Sequence, residues 1–582
     1  MAGSAQERES ALRVSLQFIA REFLLPAILL TGVIIPLYLT MQYKSGQLRD
    51  ALLVVVLWAI LVFLYWLPIG TFLFRWKGHW LTRLVTGYLV SLPLYFLALW
   101  LAYPTLGAHF HPRSPAEWGI YSSATPTFYL MVFGLYLLVR GGRTLARITQ
   151  SLAALAFAVS LIGTIVLFAR VDKYKWTSRG TQRVDIVNAR IVDAPEGKIT
   201  QGQNVLIENG RIAQIIPADL DQSNWPTIDA KGDYLVPGLI DVHVHLQAPI
   251  RSVLGGFNFG YFLNSILGDW APQRRAYLED GITAIRDLGG PAARIFALRT
   301  EVNEHKLLGP RIFAVGRLVT SPLGHPVSTI WTPMVARQGA ILASDPASLL
   351  SGLDKNYQEG PPDAVKIIYG TIGIAKEKIS PALLDSAVAW AKGKSLLSVV
   401  HIETVQEALD AVNSGATGIE HVAMIESLPD SLVASMVAHQ TFVDPTFGEY
   451  QTALTLRHVG STEIDQRLQQ KYGFIRQLHA AGVKIAIGTD APLVPFGEGF
   501  EDELDHFAKA GFTPAQILTF ATQNNAAYLG RPNELGKIAP GYDADILLVR
   551  QNPLDGLGAL RRPDRVMLDG QIVAGSMSKY HP

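Results

Sequence analysis

The sequence predicts an α/β protein, a (β/α)8 TIM-type barrel with a small composite β-domain, preceded by about five transmembrane helices. Three observations predict it. Apolar stretches of membrane-spanning length crowd the first third of the 582-residue chain. Short apolar strands then alternate with helical patterns over roughly 290 residues, the size range of an eight-unit barrel. Finally, β-like runs flank that alternation on both sides.

The apolar stretches are 23–40, 51–74, 84–103, 120–139 and 151–169, each with almost no charge. A helix crosses the hydrocarbon with about 20 residues, so each is long enough or nearly so. The fourth opens on the semi-polar "IYSSATPT". A cleaved signal peptide would be a single short apolar core, which the repetition excludes. Soluble buried helices are the alternative, and so many uncharged spans in succession disfavour it. One set of span ends holds Arg8, Arg13, Arg21, Arg75, Lys77, Arg83, Arg140, Arg143 and Arg147; the other holds Lys44, Arg49 and Arg113. The positive-inside rule then places the N-terminus in the cytoplasm and residues beyond 169 outside it. Arg170, Lys173, Lys175 and Arg179 argue the other way. The expectation is an integral, multi-pass membrane protein whose remaining two thirds are extracytoplasmic.

Residues 1–175 form the expected membrane domain. From residue 183, "VDIVNARIVD", "NVLIENGRIAQII" and "DYLVPG" read as strands broken by Asn-Gly and Pro-Gly turns. Similar runs return in "DADILLVR" and "DRVMLDGQIVAG". Segments 183–238 and 535–580 are therefore expected to pair into one β-domain, with the barrel, 239–534, inserted between them. Eight strands are expected in the barrel: "LIDVHVH", "ITAIRDL", "RIFAVG", "AVKIIYG", "LLSVVHI", "TGIEHV", "TFVDPT" and "VKIAIGTD". Intervening segments such as "SPALLDSAVAWAKGK" and "ETVQEALDAVNSG" read as crossover helices, which parallel strands require. A doubly wound open sheet is the alternative, weakened because no Gly-rich nucleotide fingerprint follows the first strand.

Charge is balanced, with 50 Lys and Arg against 49 Asp and Glu, so no nucleic-acid partner is implied. The absence of cysteine excludes disulfides and thiolate metal sites.

Histidine placement carries the chemistry. With 14 histidines, chance supplies about 0.34 His-x-His pairs, so a pair alone says little. His109 and His111 in "GAHFHPRSP" read as such a chance match. His243 and His245 differ in context, because residues i and i+2 of an apolar strand share one face. Two imidazoles there would crowd a core unless something binds both. Lys366, His401, His421 and Asp490 end four other apolar strands, and in a barrel those ends converge on one mouth. Each has an ordinary reading alone, as a bonded histidine, a turn or helix cap, or a paired lysine. Their coincidence favours a metal site, with zinc or another first-row divalent ion suited to the histidine-rich set. The set is large enough for one or two ions. Lys366 would join it only as a carbamate formed with CO₂, which burial of the amine favours.

These motifs closely resemble the amidohydrolase superfamily, in its imidazolonepropionase-like and Xaa-Pro dipeptidase-like branch. The matching text includes "DYLVPGLIDVHVHL", "GITAIRDLGG", "GPRIFAVG", "AVKIIYG", "GIEHV", "IAIGTDAP" and "LGKIAPGYDADILLV", spread over residues 183–575. The resemblance implies that His243 and His245 bind one metal, that His401 and His421 bind a second, and that carbamylated Lys366 bridges them. Asp490 would bind the first metal and move a proton. His325 in "SPLGHP" would contact substrate, although Leu323 replaces a glycine common at that place in relatives. The implied reaction is hydrolysis of a C–N bond by metal-activated hydroxide, in an amide, dipeptide, N-acyl amino acid or cyclic amide. A membrane receptor using the barrel to bind a small molecule is the rival reading, disfavoured by the complete ligand set. A second rival keeps the enzyme and lets the membrane region admit a lipophilic substrate. The spans carry few internal charges, which favours plain anchoring.

Overall fold

The computed structural model describes residues 174–176 and 183–575, apart from 221–223, 332, 372–374, 376 and parts of 249–267. The five expected spans and His109 and His111 lie outside the described residues. Among the described residues no helix is long and apolar enough to cross a membrane.

An eight-stranded sheet combines both flanking segments. Its strands are β1 (Arg183–Asp193), β2 (Lys198–Glu208), β3 (Arg211–Pro217), β4 (Thr227–Asp229) and β5 (Tyr234–Pro237). The Asn-Gly signal holds: Asn209 and Gly210 both have positive φ, as a tight hairpin between β2 and β3 requires. β5 leads straight into the barrel strands, which are β6 (Leu239–Val244), β7 (Ile282–Asp287), β8 (Arg311–Ala314), β9 (Leu318–Thr320), β10 (Ala340–Leu342), β11 (Ala364–Ile368), β12 (Leu397–His401), β13 (Gly418–Glu420), β14 (Phe442–Asp444) and β15 (Lys484–Ile485). Then β16 (Ile546–Val549), β17 (Arg565–Leu568) and β18 (Gln571–Ala574) return to the first sheet. The join is antiparallel, with Ile546 opposite Pro237 and Val549 opposite Tyr234.

The barrel strands pair in parallel, in the order β6-β7-β8 and β9-β11-β12-β13-β14-β15, with β10 an additional short strand beside β9. The stretch "RIFAVG" reads as one strand from sequence. Only Arg311–Ala314 of it is laddered, as β8; Gly316, at φ 71, then interrupts the backbone before β9, which lies beyond that stretch. The Asn356 amide takes over the lost ladder bonds, accepting from Arg317 N at 3.0 Å and donating to Val315 O at 2.9 Å. β6 and β7 are buried along their whole length, as parallel strands covered on both faces must be.

Closure falls between the first and last strands. Only Lys484 and Ile485 of "VKIAIGTD" are laddered as β15. Beyond them the seam is carried by Asp490 N donating to His243 O at 2.8 Å and by a parallel bridge between Val244 and Ala491. Side chains complete it. Asn525 Nδ2 donates to Ile240 O at 2.6 Å and to Ile487 O at 2.7 Å, and its Oδ1 accepts from Ile487 N at 3.0 Å. The Thr489 hydroxyl donates to Asp241 Oδ2 at 2.7 Å. All three polar residues are buried.

Replacing Asn525 by Ala therefore orphans backbone groups on both sides of the seam. Each buried orphan costs about 1–3 kcal/mol. The expected result is a loss of at least about 2 kcal/mol in chemical denaturation of the purified protein; an unchanged midpoint would show that the ladder closes without the amide.

Candidate metal centre and active site

The strand ends bring the expected residues together. His243 lies within β6 and His245 just past it. Lys366 is the third residue of β11, His401 ends β12, His421 follows β13, and Asp490 lies beyond β15. The imidazoles form a continuous chain. Ring centroids are 5.8 Å apart for His245 and His243, 4.8 Å for His243 and His421, and 4.3 Å for His421 and His401. His325, in the loop after β9, continues it, stacked 5.9 Å from His401, with its Nδ1 2.6 Å from Thr329 Oγ1. Asp490 Oδ1 sits 3.5 Å from His243 Nε2 and 3.2 Å from His245 Nε2. All are buried except His245 and His325, which are half-buried.

Three residues at the mouth hold left-handed backbone although none is glycine: His421 (φ 65), Thr446 (φ 46) and Asp490 (φ 57). Such conformations cost free energy and persist where surrounding structure over-determines them, commonly at functional sites. Here the bends turn the His421 and Asp490 side chains toward the shared cluster.

The residues fit a divalent cation. His243, His421 and Asp490 each offer a ligand atom, all within 4.8 Å of one another. This set joins one histidine of each pair that the resemblance assigns to separate ions. Lys366 Nζ and His401 Nε2 are buried with no hydrogen-bond partner, and buried polar groups are rarely left so. Burial pushes Lys366 down to about 8, with Glu420 and Asp490 opposing the shift. Burial would raise the Asp490 carboxyl, but His243, His245 and Lys366 outweigh it and hold it at about 2. Burial lowers His243 and His325 to about 4, so both are neutral near pH 7, the state in which imidazole can ligate metal.

The layer behind these residues was not singled out from sequence. Glu420, fully buried, accepts from His243 Nδ1 at 2.7 Å. Its other oxygen accepts from Tyr528 OH at 2.6 Å and Arg286 Nη2 at 3.3 Å. Arg286 also donates to Val242 O and Tyr528 O. His243, Glu420 and Asp444 form a second compact donor group. There the His243 Nδ1 is already engaged by Glu420, and Arg286 already offsets the charge, so this group reads as support for the first. Elsewhere, His245 Nδ1 lies 2.9 Å from Gly289 O and His421 Nδ1 lies 2.9 Å from Thr446 Oγ1. Each bond fixes the tautomer that leaves Nε2 free for a cation. One signal was available: Glu420 and Arg286 are charged residues inside otherwise apolar strands, in "GIEHV" and "ITAIRDL".

Glu420→Gln removes the anionic acceptor that orients His243. Loss of such a partner lowers metal affinity about 10–100-fold. A chelator competition on the purified protein should show that drop; full affinity would mean that Glu420 serves only the fold.

Residues 234–573 match the amidohydrolase family. Imidazolonepropionase of Anaeromyxobacter sp. (strain K) is 25% identical over 415 residues, covering 64% of this chain and 90% of that protein. Ochratoxinase of Aspergillus niger is 21% identical over 364 residues, 57% of this chain and 73% of its own. Among solved structures, a Xaa-Pro dipeptidase with bound methionine superposes with a TM-score of 0.59 at 23% identity, covering 67% of this chain and 99% of that one; the likeness is one of fold. With the barrel and its histidine cluster, the family match places this chain in the amidohydrolase family of hydrolases that act on carbon–nitrogen bonds.

Proposed function

We propose that this protein is a membrane-anchored, metal-dependent amidohydrolase that cleaves a C–N bond in a small amide, dipeptide, N-acyl amino acid or cyclic amide. One observation carries the reading: donor atoms of His243, His421 and Asp490 converge within 4.8 Å at the mouth, beside the unpartnered buried Lys366 Nζ and His401 Nε2. His243, His245, His401, His421 and Asp490 would hold one or two divalent cations, zinc by ligand type. The Lys366 amine, buried and lowered, would hold a second ion as its carbamate. When bound, the cation supplies Lewis acidity toward the scissile carbonyl and toward water.

The chain's own residues do the rest. Asp490 Oδ1, aimed at His243 and His245, accepts a proton from the attacking water and passes it to the leaving nitrogen. Water's oxygen bonds to the carbonyl carbon, the C–N bond breaks, and the products are a carboxylate and an amine. His325, beside His401, contacts the substrate on the side of the loop after β9. The positioning bonds from Glu420, Thr446 and Gly289 O hold the imidazoles so that no reorganisation precedes the reaction. The Lys and Arg asymmetry around the five apolar stretches supports an N-terminus in the cytoplasm and a barrel outside it.

Metal analysis of the purified protein, followed by a screen of dipeptides and N-acyl amino acids, tests the reading; a protein without metal that turns over none of them overturns it. Asp490→Asn keeps the side-chain shape and removes the proton acceptor. Its kcat should fall at least about 10²-fold, with most metal retained through the histidines. Lys366→Ala should lower metal content toward one ion per chain and abolish most activity, with partial rescue by a short added carboxylic acid. A reporter active only outside the cytoplasm, fused after Pro582, should be active; a silent but well-expressed fusion reverses the orientation.

A further inference from the structure

Arg274 is a fully buried cation that the chemistry above does not use. It stands in the helix Ala271–Glu279, which follows the long loop after β6. Its guanidinium is spread over backbone carbonyls of three separate segments. Nε donates to Asp269 O at 3.0 Å and Nη2 to Gly268 O at 3.2 Å, at the end of that loop. Nη1 donates to Leu308 O and, at 3.0 Å, to Tyr174 O. A buried charge is costly unless its donors are met, so the carbonyls it reaches are what make this burial tolerable.

Tyr174 belongs to a short segment ahead of the β-domain, and several contacts seat that segment on the barrel. Tyr174 O also accepts from Leu308 N at 2.8 Å. The Arg275 guanidinium lies 4.3 Å from the centroid of the Tyr174 ring, and the Trp176 and His305 rings are 5.2 Å apart. On the other side of Arg274, the same helical turn holds the stretch that follows His245. Trp270 Nε1 donates to Gln247 O at 3.1 Å, and Gln273 Nε2 donates to Ala248 O at 3.0 Å. Ala248 N in turn donates to His245 O at 3.2 Å. Where the loop enters the helix, Asp269 and Trp270 are consecutive left-handed residues, at φ 55 and 58, and neither is glycine. Such backbone persists only where its surroundings over-determine it, and Arg274 supplies two of the bonds that do so.

We infer that residues 174–176 are a strap of the active site: by completing the partners of Arg274 they hold the end of the loop after β6, and Arg274 is a positioning residue for the mouth wall beside His245. Arg274 acts through backbone carbonyls and touches no substrate. Only the kinetic part of the test rests on the amidohydrolase reading of this mouth; the strap itself does not.

The test compares the full-length wild type with the Tyr174→Ala/Trp176→Ala double variant, which removes the seating rings and leaves Arg274 in place. Amide hydrogen exchange read by mass spectrometry should speed up at least about 10-fold in peptides spanning 245–248 and 268–274, with β11 to β14 unchanged. On a substrate that the wild type hydrolyses, KM should rise at least about 5-fold with kcat within about 2-fold, because His243, His421 and Asp490 keep their own bonds. Arg274→Lys, which keeps the charge and reaches fewer carbonyls, should reproduce both changes in part. Unchanged exchange in the two stretches overturns the inference. So does exchange raised equally across β11 to β14, which would reduce the strap to a general brace of the fold. If no substrate is hydrolysed, the proposed reaction fails, and the exchange measurement still decides the strap.

Discussion

The fold and the site meet at one buried carboxylate. Glu420 accepts from His243 of β6, from Arg286 of β7 and from Tyr528 of the closing helical turn. An ion pair this deep gains little stability over an apolar replacement, but removing one partner leaves the other charged and dry. Arg286 makes the arrangement tolerable by sharing its remaining donors with Val242 O and Tyr528 O. The same bonds that register the first strands against the last helix therefore also set the direction of His243. Stability and ligand geometry become one constraint, so neither can drift without the other.

The site is layered accordingly. At the mouth, imidazoles stand in a row with their Nε2 atoms toward a common space. Behind them, the Nδ1 atoms of His243, His245 and His421 are committed to fixed acceptors, a carboxylate, a backbone carbonyl and a hydroxyl. Such commitment removes rotational freedom before any ligand arrives, which lowers the cost of assembling the reactive geometry. The left-handed bends at His421, Thr446 and Asp490 belong to the same economy of form: they redirect side chains at the points where regular strands would have aimed them elsewhere.

Much of this was legible in the sequence. The mouth residues stand out because ligand types at the ends of apolar strands have no ordinary place in a core, and the eight strands stand out by alternation with helical periods. The supporting layer was harder to read. Glu420 and Arg286 are visible as charges in apolar runs, but their partnership spans 134 residues and follows only from strand order. Asn525 gives no signal at all, since an asparagine in "QNNAAY" resembles a helix-surface residue until the seam is seen beside it. The break at Gly316 was hidden because a glycine within an apolar run reads as a pause in the strand, and its necessity comes from the packing of Phe296 and Asn356 against it.

The sheet shared by the flanking segments has a consequence for the order of synthesis. β5 finds β16 only after the whole barrel has been made, a separation of about 300 residues, or roughly 15–60 s of translation at typical rates. Throughout that interval one edge of the first five strands stands open on the nascent chain, offering unpaired backbone to any neighbour. The closing strand is thus the last clause of a long sentence, and the protein's exposure to misassembly is greatest just before that clause is spoken.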